Sequence, residues 1–195
     1  MGGRSQSRRY KARNVKIIIH SASDLLNLDD YYGNYKMEVY AKVSIKTATE
    51  SLNRSTPVDR DGHNNPAWHF DMRFTVRESA VEEPGVMLVI KLYCKGRRGR
   101  CCGCWKSSKD DVYIGEVSLS LEELFRSRDE KGSGERHLPL ARGCANSNSN
   151  GNLKFRYKFG KAAFTKNTAS TCRLCTAGGG DDDDDDDNVV DIATD

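Results

Sequence analysis

Apolar and polar residues alternate with a period of two along several short stretches of this chain, the pattern of strands with one face on a core and one in water. Val15-Lys16-Ile17-Ile18-Ile19-His20 is a β-branched run closed by Ser21-Ala22-Ser23-Asp24, and Glu38 to Lys46 carries apolar residues at alternate positions. Trp68, Phe70, Met72 and Phe74 alternate with His69, Asp71 and Arg73, whereas Val86 to Tyr93 is nearly all apolar and suits a strand covered on both faces. Val112 to Leu119 and Arg136 to Leu140 predict two more strands. Ser120-Leu121-Glu122-Glu123-Leu124-Phe125 predicts a short helix with a serine cap and an acidic first turn. Leu153 to Phe159 is the cleanest alternation, with four apolar side chains on one face and Lys154, Arg156 and Lys158 on the other, before Gly160 ends the run. Strands divided by turn signals, one minor helix and no strand–helix–strand rhythm predict an all-β, antiparallel sandwich of about seven or eight strands.

Charge changes the picture at the ends of the chain. Residues 181–195 hold nine aspartates and no Lys or Arg, so a net charge of +3 conceals a body, residues 1–180, at +12. A basic body favours anionic partners, whether lipid headgroups, nucleic acid or acidic proteins. Residues 1–12 read as a basic N-terminal tail, 13–160 as one domain, and 161–195 as a disordered tail with a CxxC pair and the run Asp181–Asp187. No apolar stretch approaches the roughly 20 residues that span a bilayer, and MGGRSQSRRYKAR lacks the apolar region of a secretory signal, so a cytoplasmic, membrane-peripheral protein is expected. Gly2 invites myristoylation, but Gln6 stands where Ser or Thr is required. Seven cysteines, an odd number, do not predict a disulfide framework in a reducing compartment.

Four stretches in order carry a resemblance: KMEVYAKVSI (36–45), STPVDRDGHNNPAWHFDMRFTV (55–76), YIGEVSLSLEELF (113–125) and NLKFRYKFG (152–160). Together they resemble the plant small C2-domain proteins of the cold-regulated type, over about residues 13–160. The resemblance implies an eight-stranded antiparallel C2-type β-sandwich and a place in stress or defence signalling. The turn dipeptides Asp61-Gly62 and Asn65-Pro66 before Trp68 suit such a fold, with Trp68 and Phe70 filling its core.

In that family, loops at one end of the sandwich present carboxylates to calcium, which needs about six to eight oxygen ligands. The acids available here are Asp29, Asp30 and Glu38 in the first loop and Asp110 and Asp111 before a later strand, a weak calcium set. Cys94 and Gly96 stand where the third loop would offer an Asp-x-Asp pair, with Lys95 between them. That loop instead carries Lys95, Arg97, Arg98, Arg100 and Trp105, a combination suited to an anionic bilayer surface and its interfacial zone. Cys101, Cys102 and Cys104 beside those cations are candidates for S-acylation. The spacings Cys101-x-x-Cys104 and Cys172-x-x-Cys175 match zinc thiolates but lie far apart in the chain, so zinc is not the expected occupant. Lys154, Arg156 and Lys158, with Lys42 and Lys46 beside them, are expected to form a second anionic-lipid surface.

The leading functional expectation is therefore a module docking on anionic phospholipid at the plasma membrane. The alternative is an adaptor that recruits a membrane protein partner without lipid affinity. His20, His63, His69 and His137 sit in no hydrolase or metal motif, so no enzyme is expected, and the Arg-Gly tract lacks a recognition fold, so neither is nucleic-acid binding.

Overall fold

The computed structural model describes residues 9–26, 36–47, 50–96, 110–141 and 151–166. Among these, eight strands and two short helices follow in order: β1 (Arg9–Ser23), β2 (Val39–Lys46), β3 (Ser51–Ser55), β4 (Ala67–Arg77), α1 (Glu78–Val81), β5 (Met87–Cys94), β6 (Val112–Ser120), α2 (Leu121–Arg126), β7 (Ser133–Pro139) and β8 (Asn152–Lys166). The strands form two four-stranded sheets, ordered β4-β1-β8-β7 and β3-β2-β5-β6. Every strand pairing is antiparallel.

The alternation in the sequence becomes the inner face of each sheet. Ile17 and Ile19 of β1, Met72, Phe74 and Val76 of β4, and Leu153, Phe155, Tyr157 and Phe159 of β8 face Val39, Ala41, Val43 and Ile45 of β2 and Leu88, Ile90 and Leu92 of β5, all buried in one core. Removing a side chain of this size from a packed core costs about 2–5 kcal/mol, so this layer dominates stability. Tyr157 is fully buried and keeps its hydroxyl satisfied by Ser127 Oγ at 3.1 Å. Its ring lies against Gly134 on β7, where any Cβ would overlap it.

Several details depart from the expected elements. The sequence predicts one helix, and α1 adds a second single turn after β4. The β1–β8 ladder runs past the expected limits at 13 and 160, ending with Arg9 opposite Lys166. Beyond a register shift at Arg13/Val15, Arg13 donates to the Gly160 carbonyl and forms a two-pronged pair with Glu78 of α1. Strand β3, SLNRS, has no counterpart among the predicted strands: it is a short edge strand that pairs only with β2 and buries none of its residues. Trp68 packs partly buried against the core, but Phe70 remains 36 % exposed rather than filling it. His69 between them takes φ 48 and breaks the alternation there. Strand β5 is covered on its inner face but only partly on its outer one, where Val89 is buried and Lys91 and Tyr93 are half-buried. The predicted helix stands as α2, with the Ser120 side chain accepting from the Glu123 amide.

Candidate functional site: the loop end of the sandwich

Antiparallel order brings four connections to one end of the molecule. There Val39 lies opposite Cys94, Cys94 opposite Val112, and Asn152 between Ser23 and Pro139. The motif around Asp59 ties the two sheets together at this end. Asp59 exchanges backbone hydrogen bonds with Val39, and its carboxylate accepts from the amides of Asp61, Gly62 and Ala67 at 2.7–2.8 Å. Burial alone would raise that carboxyl, but the three amides hold it below its ordinary value. Trp68 Nε1 donates to the Val39 carbonyl at 3.2 Å, and His63 Nδ1 accepts from the Met37 amide at 3.0 Å. The most recognisable part of the sequence is therefore a clamp, and its Trp and His are structural.

The β5–β6 corner brings together Glu38, Lys95, Asp110 and Asp111 of the candidate residues. Cys94 ends β5 pointing inward, 2 % exposed, so its thiol faces the core and not the rim. The chain then turns, with the Lys95 amide donating to the Glu38 carbonyl at 2.7 Å. Asp111, just before β6, is the hub of the corner. Its carboxylate accepts from the Tyr40 hydroxyl at 2.7 Å, from the Gly96 amide at 2.9 Å and from the Lys95 ammonium at 3.3 Å. Burial would raise the Asp111 carboxyl, and the Gly96, Tyr40 and Lys95 donors together hold it below its ordinary value. The Tyr40 phenol is pushed up to about 12, first by burial and then by its bond to Asp111. Tyr40 stacks on Tyr93 at 5.6 Å, Tyr93 meets Tyr113 edge-on at 5.7 Å, and Lys95 and Lys91 lie over the Tyr40 and Tyr113 rings. The outer surface of this corner is a row of aromatic rings between ammonium groups.

This changes the meaning of the calcium set. Glu38 and Asp111 do reach the same corner, with Asp110 exposed beside them. The oxygens of Asp111, however, already accept from a protein cation, a hydroxyl and an amide, with which a divalent ion would have to compete. Among the described residues, no group of three or more His, Cys, Asp or Glu is placed to hold a metal. Asp29 and Asp30 lie outside the described residues, as do Arg97, Arg98, Arg100, Cys101, Cys102, Cys104, Trp105 and both CxxC pairs.

The basic strand face is only partly as expected. Lys154, Arg156 and Lys158 all project from β8, but Lys154 and Arg156 share Glu135 of β7 at 3.0 and 2.9 Å. Lys42 and Lys46 are not beside them. They belong to β2 in the other sheet, whose outer face points away from that of β8, because both strands turn their apolar residues to the common core. Strand alternation assigned each cation to an outer face without saying which sheet it belonged to. The cations next to the β8 set are instead Lys16 of β1 and, one strand further, Arg73 of β4.

With this geometry in place, comparison with known proteins is decisive for the family. Residues 13–138 match the C2 domain model. The chain belongs to the C2-domain family. Curated relatives include Protein SRC2 of Glycine max, 31% identical over 150 residues, and the SRC2 homolog of Arabidopsis thaliana, 29% identical over 151 residues. These alignments take in 76% and 77% of this chain but 47% and 42% of the relatives, so the C2 chain spans less than half the length of either. They agree with the resemblance to plant small C2-domain proteins. Among solved structures, a C2 domain of plant Extended Synaptotagmin 1 superposes with TM-score 0.55 at 16% identity, covering 76% of this chain and 94% of that one. The calcium-bound pair of C2 domains of Extended-Synaptotagmin 2 gives TM-score 0.53 at 19% identity, covering 75% and 45%. At these identities the superpositions speak to the fold alone.

Proposed function

We propose that this C2 domain is a non-enzymatic docking module that holds an anionic phospholipid membrane by charge and interfacial aromatics, without requiring calcium, in stress or defence signalling at the plasma membrane. The observation that carries the calcium part is the occupied carboxylate of Asp111, whose ligand positions are taken by Lys95, Tyr40 and Gly96 of the same chain. An internal ammonium in that place does the neutralising work that a bound ion would otherwise do. The sequence that follows, Arg97, Arg98, Arg100 and Trp105, supplies further cations and an aromatic group suited to the headgroup zone. Cys101, Cys102 and Cys104 are the acylation candidates that would lengthen residence, since one acyl chain plus a basic patch anchors stably.

Cosedimentation of the full chain with anionic vesicles tests the reading. Binding is expected with calcium and with chelator alike, and it should weaken as salt rises. Binding only in the presence of calcium would refute the charge mechanism. No binding at physiological salt under either condition would leave the adaptor reading, in which the sandwich engages a membrane protein partner.

A further inference from the structure

The outer face of the β4-β1-β8-β7 sheet carries positive charge that the loop end does not account for. Register sets Arg73, Lys16 and Lys158 side by side across β4, β1 and β8. The next row holds Asp71, Ile18, Arg156 and Glu135, and Lys154 follows opposite His137 of β7. Lys16 pairs with Asp71 at 3.0 Å, and Lys154 and Arg156 divide Glu135 between them. Arg73 and Lys158 form no ion pair among the described residues. Five cations thus meet two carboxylates on one exposed surface, a surplus of three. Strands lie about 5 Å apart, so the surplus acts within a single screening length of about 8–10 Å.

At the loop end of the same face, irregular pairing turns two imidazoles towards each other. The β1–β4 register shifts between Ile19 and Ser21, and His69 adopts φ 48. His20 Nδ1 and His69 Nδ1 stand 3.4 Å apart with the ring centroids at 5.6 Å. One nitrogen must donate and the other accept, so this contact exists only while one of the two rings lacks its Nδ1 proton. The groups around His20 are His69 and Asp71 from β4, Lys154 and Arg156 from β8, Glu135 and His137 from β7, and Lys16 on its own strand. Burial first, then Arg156, holds His20 below the ordinary imidazole range, with Glu135 opposing. The ring is therefore neutral at neutral pH and gains charge in acid.

We propose that this sheet face is a second contact for an anionic phospholipid bilayer, one that strengthens as His20, beside His69, gains a proton. The proposal rests on the membrane-docking reading and adds an orientation to it. A domain held by its loop end tilts until the β4-β1-β8-β7 face lies along the headgroups, with the imidazoles nearest the loops and Arg73, Lys16 and Lys158 further along.

The test uses the full chain, chelator, and vesicles of phosphatidylcholine with phosphatidylglycerol, whose charge is constant over the pH range compared. Each basic side chain near an anionic surface multiplies affinity about fivefold, so Arg73→Gln with Lys158→Gln should weaken binding roughly thirtyfold. Neither residue forms an ion pair among the described residues, although Arg73 acts on the Asp71 carboxylate through space, and a thermal melt verifies the fold. Wild type should bind more tightly at about pH 5.5 than at about pH 7.5, and His20→Gln should remove that gain. If the Arg73/Lys158 variant binds like wild type at both pH values, or acid strengthens the His variant equally, the sheet-face contact is overturned while the docking reading stands. If the face variant weakens but Arg97, Arg98 and Arg100 can all become Gln without effect, the face stands and loop docking falls. Absence of binding by wild type at both pH values overturns both.

Discussion

Asp111→Asn keeps the shape of the hub at the β5–β6 corner and removes its charge. The carboxylate now accepts from Tyr40 at 2.7 Å, Gly96 at 2.9 Å and Lys95 at 3.3 Å, and an amide can serve only one side of that set because its nitrogen is a donor. Hydrogen bonds to a charged acceptor contribute about 1.5–3 kcal/mol each, and a half-exposed ion pair such as Lys95–Asp111 under about 1 kcal/mol. Keeping the Gly96 bond and losing the other two should therefore cost about 2–3 kcal/mol in urea unfolding. Tyr40→Phe removes only the hydroxyl, and a double-mutant cycle of the two changes should return a coupling of about 1–2 kcal/mol. A second readout is alkaline titration followed by tyrosinate absorbance. The Tyr40 phenol, at about 12 in the wild type, should fall in the Asp111→Asn variant towards, but not to, the ordinary value of about 10, because its burial persists. With eight tyrosines in the chain, the signal must be taken as the difference made by Tyr40→Phe in each background. A coupling below about 0.3 kcal/mol together with an unmoved phenol would refute the hub.

Calcium at about 1 mM should raise the unfolding free energy by less than about 0.4 kcal/mol, whereas a site of about 10 µM affinity would give about 2.7 kcal/mol and contradict the internal-cation reading. Gly134→Ala should cost about 2–3 kcal/mol or more by denaturant melt, since its Cβ would overlap the buried Tyr157 ring; a neutral result would mean that β7 shifts freely. Glu78→Gln should cost about 1–2 kcal/mol by separating α1 from Arg13, whose guanidinium bonds the carboxylate at 2.8 and 2.5 Å. Stability should fall with acid. Asp59, Asp71, Glu78, Asp111 and Glu135 all lie below their ordinary values when folded, Glu135 at about 2 through Arg156 first and then Lys154, so the unfolded chain takes up protons first and the contribution is lost as pH drops from about 4.5 towards about 2. His20 adds the same sign beginning nearer pH 6.5, and a melt series that instead gained stability below pH 6 would contradict these assignments. The exposed Glu135 pairs should matter less in high salt.

Legibility in the sequence followed burial. Strand β8 could be read directly because Leu153, Phe155, Tyr157 and Phe159 are all buried while the residues between them are exposed, so the pattern and the environment coincide. Strand β3 could not, because an edge strand with no buried residue leaves no apolar signature and is fixed only by its ladder to β2. The four residues of α1 carry no side-chain cap, and their helical turn depends on docking beside β1 and β4. At the loop end, the acids were visible but their state was not. Asp111 becomes a filled site only because Tyr40 comes across the sheet from β2 and Lys95 leaves β5 on the outer side, and these meet through pairing between distant strands.

The sheet face follows the same logic in a stronger form. A body with a surplus of twelve positive charges and a filled core must place its cations on loops or on outer faces, and alternation alone distributes them without preference. Strand order decides where they accumulate. Because β1 is sandwiched between β4 and β8, Lys16 stands beside both Arg73 and Lys158, whereas Lys42, equally basic and equally regular in its spacing, is turned to the opposite side of the sandwich beside Lys91, which Glu116 pairs at 3.0 Å. The first sheet sets five cations against two carboxylates across its adjacent strands, and the other sets Lys42, Lys46 and Lys91 against Glu116, so the larger surplus lies on the β4-β1-β8-β7 face. The proposed membrane contact is in this sense a property of the order of the strands as much as of the residues they contain.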